Sequence, residues 1–154
     1  MSDIDARLAE LGITLPTPTA PVANYVGTVR TGNLLIVSGQ LCFNGEGKLA
    51  ATGKLGAGVT VEDARVAARY SAINVIAQIK AAVGSLDKVV RIVRLGGFFA
   101  ATPEFTTHPA VMNGASDLMV EVFGDKGRHA RTTIGVPSLP LDSVVEVEAL
   151  VEVA

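Results

Sequence analysis

Ile4, Leu8 and Leu11 recur at helical spacing ahead of Gly12, predicting a short amphipathic helix over residues 3–11. Pro16, Pro18 and Pro21 follow and predict an extended connector, because proline lacks an N–H and keeps its predecessor out of the helical region. The pattern then turns strand-like. Residues 25–29 and 34–43 read as a hairpin about a Thr31-Gly32-Asn33 turn, the second strand interrupted at Ser38-Gly39. After the turn Asn44-Gly45-Glu46-Gly47, residues 48–52 are expected to form a short third strand before a glycine-rich loop at 53–58.

Thr60, with Asp63 three positions on, is an acidic variant of a capping box. Behind it Ala64, Ala68, Ala72, Val75, Ile76, Ile79 and Val83 make one apolar stripe ending at Gly84, which predicts a helix of about six turns. The alanines at its start allow close approach to a sheet. Residues 89–101 are β-branched and aromatic, and Gly96-Gly97 within them predicts a bulge or a close backbone approach. A second helix is capped by Thr106 or Thr107, carries Pro109 in its first turn and ends at Gly124; its stripe is Val111, Met112, Ala115, Leu118, Met119 and Val122. Residues 131–136 and 144–153 are the last strands, the final one alternating valine and alanine with Glu146, Glu148 and Glu152. The order is a short helix, then β-β-β-α-β-α-β-β. It implies an α+β fold with a mixed sheet and two helices on one face, in one domain over residues 1–154 whose first 21 residues are the helix and connector.

The other face of that sheet is only half apolar. Of 154 residues, 49% are hydrophobic and 18% charged, against an average near 25% charged, so some apolar surface is expected to be covered by a partner chain. A net charge of −2 with no basic run disfavours nucleic acid and anionic membranes as partners. The start of the chain lacks the basic and apolar regions of a signal peptide, and no stretch reaches membrane-spanning length. The expected location is the cytoplasm.

Most catalytic signatures are missing. Cys42 is the single cysteine, which excludes an intrachain disulfide and thiolate zinc sites and reads as a small buried hydrophobe. The glycines of 53–58 lack the spacing and the hydroxyl of a phosphate-cradling loop. Val37 precedes Ser38, so Ser38-Gly39-Gln40 is not a nucleophile elbow. His108 reads as a surface or capping residue and His129 as part of a basic loop with Arg128 and Arg131; the two are not a metal site. No cofactor is expected. The stretch from His129 to Ala149 is more informative, because Arg131 opens one strand and Glu146 lies on the next. If those strands are neighbours, the pair is either a cross-strand salt bridge or a site in which arginine's planar fork grips a carboxylate while glutamate orients water.

The chain resembles the reactive-intermediate deaminase family (Rid, or YjgF-like) from about residue 22 to residue 153. The resemblance is carried by Asn24-Tyr25-Val26, Leu35-Ile36-Val37-Ser38-Gly39-Gln40, Val111-Met112-Asn113-Gly114, Ala130-Arg131-Thr132, Leu139-Pro140 and Val145-Glu146-Val147-Glu148-Ala149. It implies a chorismate-mutase-like fold, a homotrimer with three intersubunit clefts, and cofactor-independent hydrolysis of enamines and imines such as 2-aminoacrylate to 2-keto acids and ammonia. By the same resemblance Arg131 holds the substrate carboxylate, Glu146 activates water, and Tyr25, Ser38, Gly39, Asn113 and Thr133 line the pocket. Archetypal members often have cysteine where Thr133 stands. With its extra N-terminal helix and longer connection over residues 124–129, the chain resembles the longer YjgF-like subgroup. Two other functions stay open: a trimeric protein that binds small carboxylates without turnover, and an endoribonuclease, which the charge disfavours.

Overall fold

In a computed structural model that describes all residues except Met1 and Thr19, the chain runs α1 (Asp3–Glu10), β1 (Thr28–Thr31), β2 (Leu34–Leu41), β3 (Lys54–Leu55), β4 (Gly58–Val59), α2 (Val61–Val83), β5 (Val89–Ala100), α3 (His108–Phe123), β6 (Ala130–Val136) and β7 (Val145–Val153). The main sheet has the order β1-β2-β7-β5-β6, with β5 and β6 parallel and the other neighbours antiparallel. Both long helices pack on one face of it, α2 against β2 and β7, and α3 against β5, β6 and α2. This is the α+β arrangement expected, a mixed sheet with helices on one side.

The helices form for the reasons their sequences supply. The Thr60 hydroxyl accepts from the Asp63 N–H at 3.1 Å and caps α2, while Gly84 closes it at φ 83, where a side chain would be strained. Every residue of the predicted α2 and α3 stripes is buried. On β7 the valines and Ala149 are buried against the helices while Glu146, Glu148, Leu150 and Glu152 are half-exposed on the opposite face. Leu35, Val37, Ile92, Leu95 and Phe99 complete the core, each such side chain stabilising the fold by roughly 1.5–3 kcal/mol relative to exposure. Helix α1 is tied on by polar contacts: Arg7 Nε donates to the Glu121 carbonyl at 2.8 Å, and Lys80 pairs with Asp5 at 2.7 Å.

Two expectations need correction, and one condition is not met. Residues 48–52 do not form a strand; they carry only isolated bridges, Phe43 with Leu49 and Thr52 with Ser143, and the short β3 and β4 lie in the glycine-rich loop instead. The first strand starts at Thr28, so Tyr25 lies on the irregular segment before it and is not a strand aromatic. The strands of Arg131 and Glu146 are not neighbours, because β5 lies between β6 and β7. Gly96 and Gly97 mark close approaches and no bulge: a Cβ at Gly96 would lie 2.9 Å from the Glu148 Cγ, and one at Gly97 would meet Met112. The anticipated break at Ser38-Gly39 is a register shift of β2 against β7.

Candidate functional site

The alternation of the strands divides the predicted site residues between the two faces of the sheet. On β6 the odd positions point toward α3: Arg131 bonds to that helix, and a Cβ at Gly135 would come within 2.6 Å of the His108 ring. Arg131 registers with Leu95 and through it with Ala149, both buried on the helix side. Glu146 registers with Phe98 and Leu41, and belongs to the opposite, open face. Within one chain the sheet therefore separates the guanidinium from the carboxylate. Neither a salt bridge between them nor a shared pocket in a single chain is present.

The helix-side group is built around Arg131. Its NH1 donates to Asn113 Oδ1 at 2.8 Å and to Ser116 Oγ at 3.1 Å, and its NH2 makes a longer contact with the Pro109 carbonyl at 3.5 Å. Asn113 and Ser116 are one turn apart on α3, so both side chains face the strand. With both hydrogens of NH1 engaged, Nε and the rest of NH2 form the edge left to grip an anion. No carboxylate pairs with Arg131 among the described residues. Thr133 continues the same side of β6, and its hydroxyl oxygen is buried without a hydrogen-bond partner.

The open-face group centres on Glu146. Gly39, at the irregularity in β2, makes room for it: a Cβ there would sit 2.8 Å from the Glu146 Cδ and 2.9 Å from its Cγ. Ser38 anchors the adjoining segment, donating through its hydroxyl to the Val26 carbonyl at 2.7 Å and through its N–H to the Gly27 carbonyl at 2.9 Å. Those bonds bring the segment carrying Tyr25, which is exposed, alongside β2. Burial, and then the negative charge of Glu148, push the Glu146 carboxyl above its ordinary range. Val29, Leu34, Ile36 and Ile134 stand exposed on this same face.

Ser38, Gly39 and Glu146 are thus gathered on one side and Arg131, Asn113 and Thr133 on the other, while Tyr25 is exposed on the irregular segment beside β2. Two residues escaped the sequence reading. Ser116 bridges Arg131 to His129, its Oγ lying 2.9 Å from the ring Nε2, and His129 Nδ1 lies 2.6 Å from the Gly127 carbonyl. The signal was present: Ser116 follows Asn113 by three positions on a helix, and His129 shares the odd parity of Arg131 and Thr133. Among the described residues, no three His, Cys, Asp or Glu side chains are grouped to hold a metal ion, and no helix is long and apolar enough to cross a membrane.

Residues 5–153 match the family described as "YjgF/chorismate mutase-like, putative endoribonuclease". The chain belongs to that family. Protein TCP17 of Trypanosoma cruzi is 49% identical over 150 residues, which cover 97% of this chain and 93% of that protein. The crystal structure of Atu1372 from Agrobacterium tumefaciens, described as of unknown function, superposes with a TM-score of 0.90 at 48% identity, covering 98% of this chain and 94% of the other. A more distant relative, 28% identical over 139 residues and covering 90% of this chain and 93% of its own length, is a 2-iminobutanoate/2-iminopropanoate deaminase of Dermatophagoides farinae. In this YjgF/chorismate mutase-like chain, the first residue of the matched region falls in α1 and the last in β7, so every element that carries a candidate residue lies within the family region.

Proposed function

We propose that this chain is a cofactor-independent hydrolase of enamine and imine intermediates of the 2-aminoacrylate type, acting as a homotrimer whose clefts join the helix-side group of one subunit to the open-face group of the next. The observation that carries the reading is Arg131: its NH1 is held by Asn113 and Ser116 while its other edge has no carboxylate partner among the described residues. Such a guanidinium suits a bidentate, charge-assisted grip on a small carboxylate. The deaminase named among the relatives supports the same reaction class. The exposed apolar side chains of the open face support burial against a second copy.

The chemistry asks little of the protein. An enamine first tautomerises by taking a proton on carbon, and the resulting imine is already electrophilic. Water adds to the C=N carbon, Glu146 accepts the proton the water loses, and the carbinolamine collapses to a 2-keto acid as ammonia leaves. A carboxyl raised toward neutrality is better matched to taking and returning that proton than an ordinary glutamate. Arg131 holds the substrate by its carboxylate, and Tyr25, Ser38, Gly39, Asn113 and Thr133 shape the cleft. The expected location is the cytoplasm. The endoribonuclease in the family description is disfavoured by a net charge of −2 and by three glutamates on the open face.

The test follows imine hydrolysis after an amino acid oxidase generates 2-iminobutanoate in situ. Wild type accelerates the loss of imine, and Arg131→Ala, still folded, gives up most of that acceleration, since a hydrogen bond to a charged group is worth about 1.5–3 kcal/mol. Full activity in Arg131→Ala would overturn the role of the arginine. Binding of 2-oxobutanoate without any turnover in wild type would make the protein a carboxylate-binding module instead.

A further inference from the structure

Arg131 is the near end of a hydrogen-bonded chain that runs away from the proposed cleft. The Gly127 carbonyl can only accept, so in the neutral ring of His129 the hydrogen sits on Nδ1, directed at that carbonyl 2.6 Å away. Nε2 is then an acceptor. The Ser116 hydroxyl, 2.9 Å from Nε2, donates to it, and this orientation turns the Ser116 lone pairs toward Arg131 NH1, 3.1 Å distant. Each donor has one acceptor, and the direction is set from the Gly127 carbonyl outward.

We propose that Ser116 and His129 are positioning residues that set the Arg131 guanidinium for carboxylate binding, His129 acting only through the hydroxyl of Ser116. The inference rests on the role proposed above for Arg131. Without Ser116, Asn113 would fix one hydrogen of NH1, and only the long 3.5 Å contact from NH2 to the Pro109 carbonyl would resist pivoting about it. The second contact, to Ser116, fixes the plane. A fixed plane matters because both remaining donors, Nε–H and NH2, must meet the two oxygens of a carboxylate together. A serine hydroxyl rotates freely unless something takes its hydrogen, and His129 Nε2 is the acceptor that does so.

The test measures binding of 2-oxobutanoate by calorimetry and the steady-state kinetics of 2-iminobutanoate hydrolysis. Ser116→Ala is expected to raise Kd and KM about ten-fold while kcat changes less than about three-fold, as loss of a positioning contact to a charged group would do. Ser116→Thr, which keeps the hydroxyl, restores both constants. His129→Ala gives a smaller rise, and the double variant Ser116→Ala/His129→Ala binds within about two-fold of Ser116→Ala alone, because a residue acting only through Ser116 has nothing left to act on. Additive losses, or an unaltered KM in both single variants while Arg131→Ala loses binding, would overturn the relay and leave Arg131 in place. Unaltered binding in Arg131→Ala would overturn the role of the arginine itself. Should Ser116→Ala not fold, Ser116→Cys, similar in shape but a weak acceptor, is measured in its place with the same expectation.

Discussion

Because β5 stands between β6 and β7, and because Arg131 and Glu146 leave the sheet on opposite faces, a cleft that uses both must take them from different subunits. Two inactive variants should then rescue each other. A subunit carrying Arg131→Ala still supplies Glu146, and one carrying Glu146→Gln still supplies Arg131. If the variants are co-expressed in equal amounts and assemble at random, about three quarters of the trimers contain both variants. In a trimer that holds both variants, one cleft in three joins a competent arginine to a competent glutamate, whichever variant is in the majority, and a homotrimer of either variant has none. The assay is hydrolysis of 2-iminobutanoate by mixed trimers isolated through two different affinity tags, compared with each variant alone and with wild type. The isolated mixed trimers are expected to recover about a third of the wild-type rate while each homotrimer stays near background. Isolated mixed trimers that remain at background would refute the intersubunit cleft, as would a mixed species that is not three times the 15.9 kDa chain mass.

Gly39→Ala places a Cβ 2.8 Å from the Glu146 Cδ, well inside an ordinary carbon contact of about 3.5–4.0 Å, so the carboxylate must swing aside by nearly 1 Å; turnover is expected to fall about 100-fold while thermal stability stays within a few degrees, and near-normal kinetics would show that Glu146 need not occupy that position. Because the folded-state carboxyl of Glu146 is raised, folding favours its protonated form, so the stability it contributes is present below its ordinary value and is lost as pH rises through the raised one. Glu146→Gln should therefore match wild type in a thermal melt near pH 4 and exceed it near pH 8; equal offsets at both pH values would remove burial as the cause. Gly114→Ala would drive a Cβ into the Arg65 carbonyl, whose carbon lies 3.0 Å away where α3 crosses α2, and an overpacking cost of about 1–3 kcal/mol should lower the melting temperature by about 3–10 °C.

How much of this was legible depended on whether the signal was local. The caps and stripes of α2 and α3 are encoded within a turn of the chain, and Thr60, Gly84 and Gly124 ended the helices where they were expected to. The alternation in β7 separated Glu146 from its buried neighbours in the same way. Residues 48–52 misled because strand propensity does not supply a neighbour, and the main sheet's edge position beside β2 is taken by β1. The placing of β5 between β6 and β7 is a long-range choice that no residue near Arg131 or Glu146 announces. Ser116 and His129 were missed for a related reason: each looks ordinary alone, a helix serine and a loop histidine, and they acquire a role only where α3 crosses the end of β6.

The separation of Arg131 and Glu146 also bears on how the proposed site would stay reactive. An arginine and a glutamate within reach of each other in one chain would form an ion pair, and the pairing would occupy the donors a carboxylate substrate needs and pull the glutamate below its ordinary range. On opposite faces neither happens. Arg131 is held instead by neutral acceptors on α3, which orient the guanidinium without cancelling its charge. Glu146 meets burial and Glu148 in place of a counter-charge, so its carboxyl rises. In the proposed trimer the two groups would keep opposite and unspent electrostatic tendencies until a second subunit brought them to one substrate, whose own carboxylate would answer the arginine and leave the glutamate free for water.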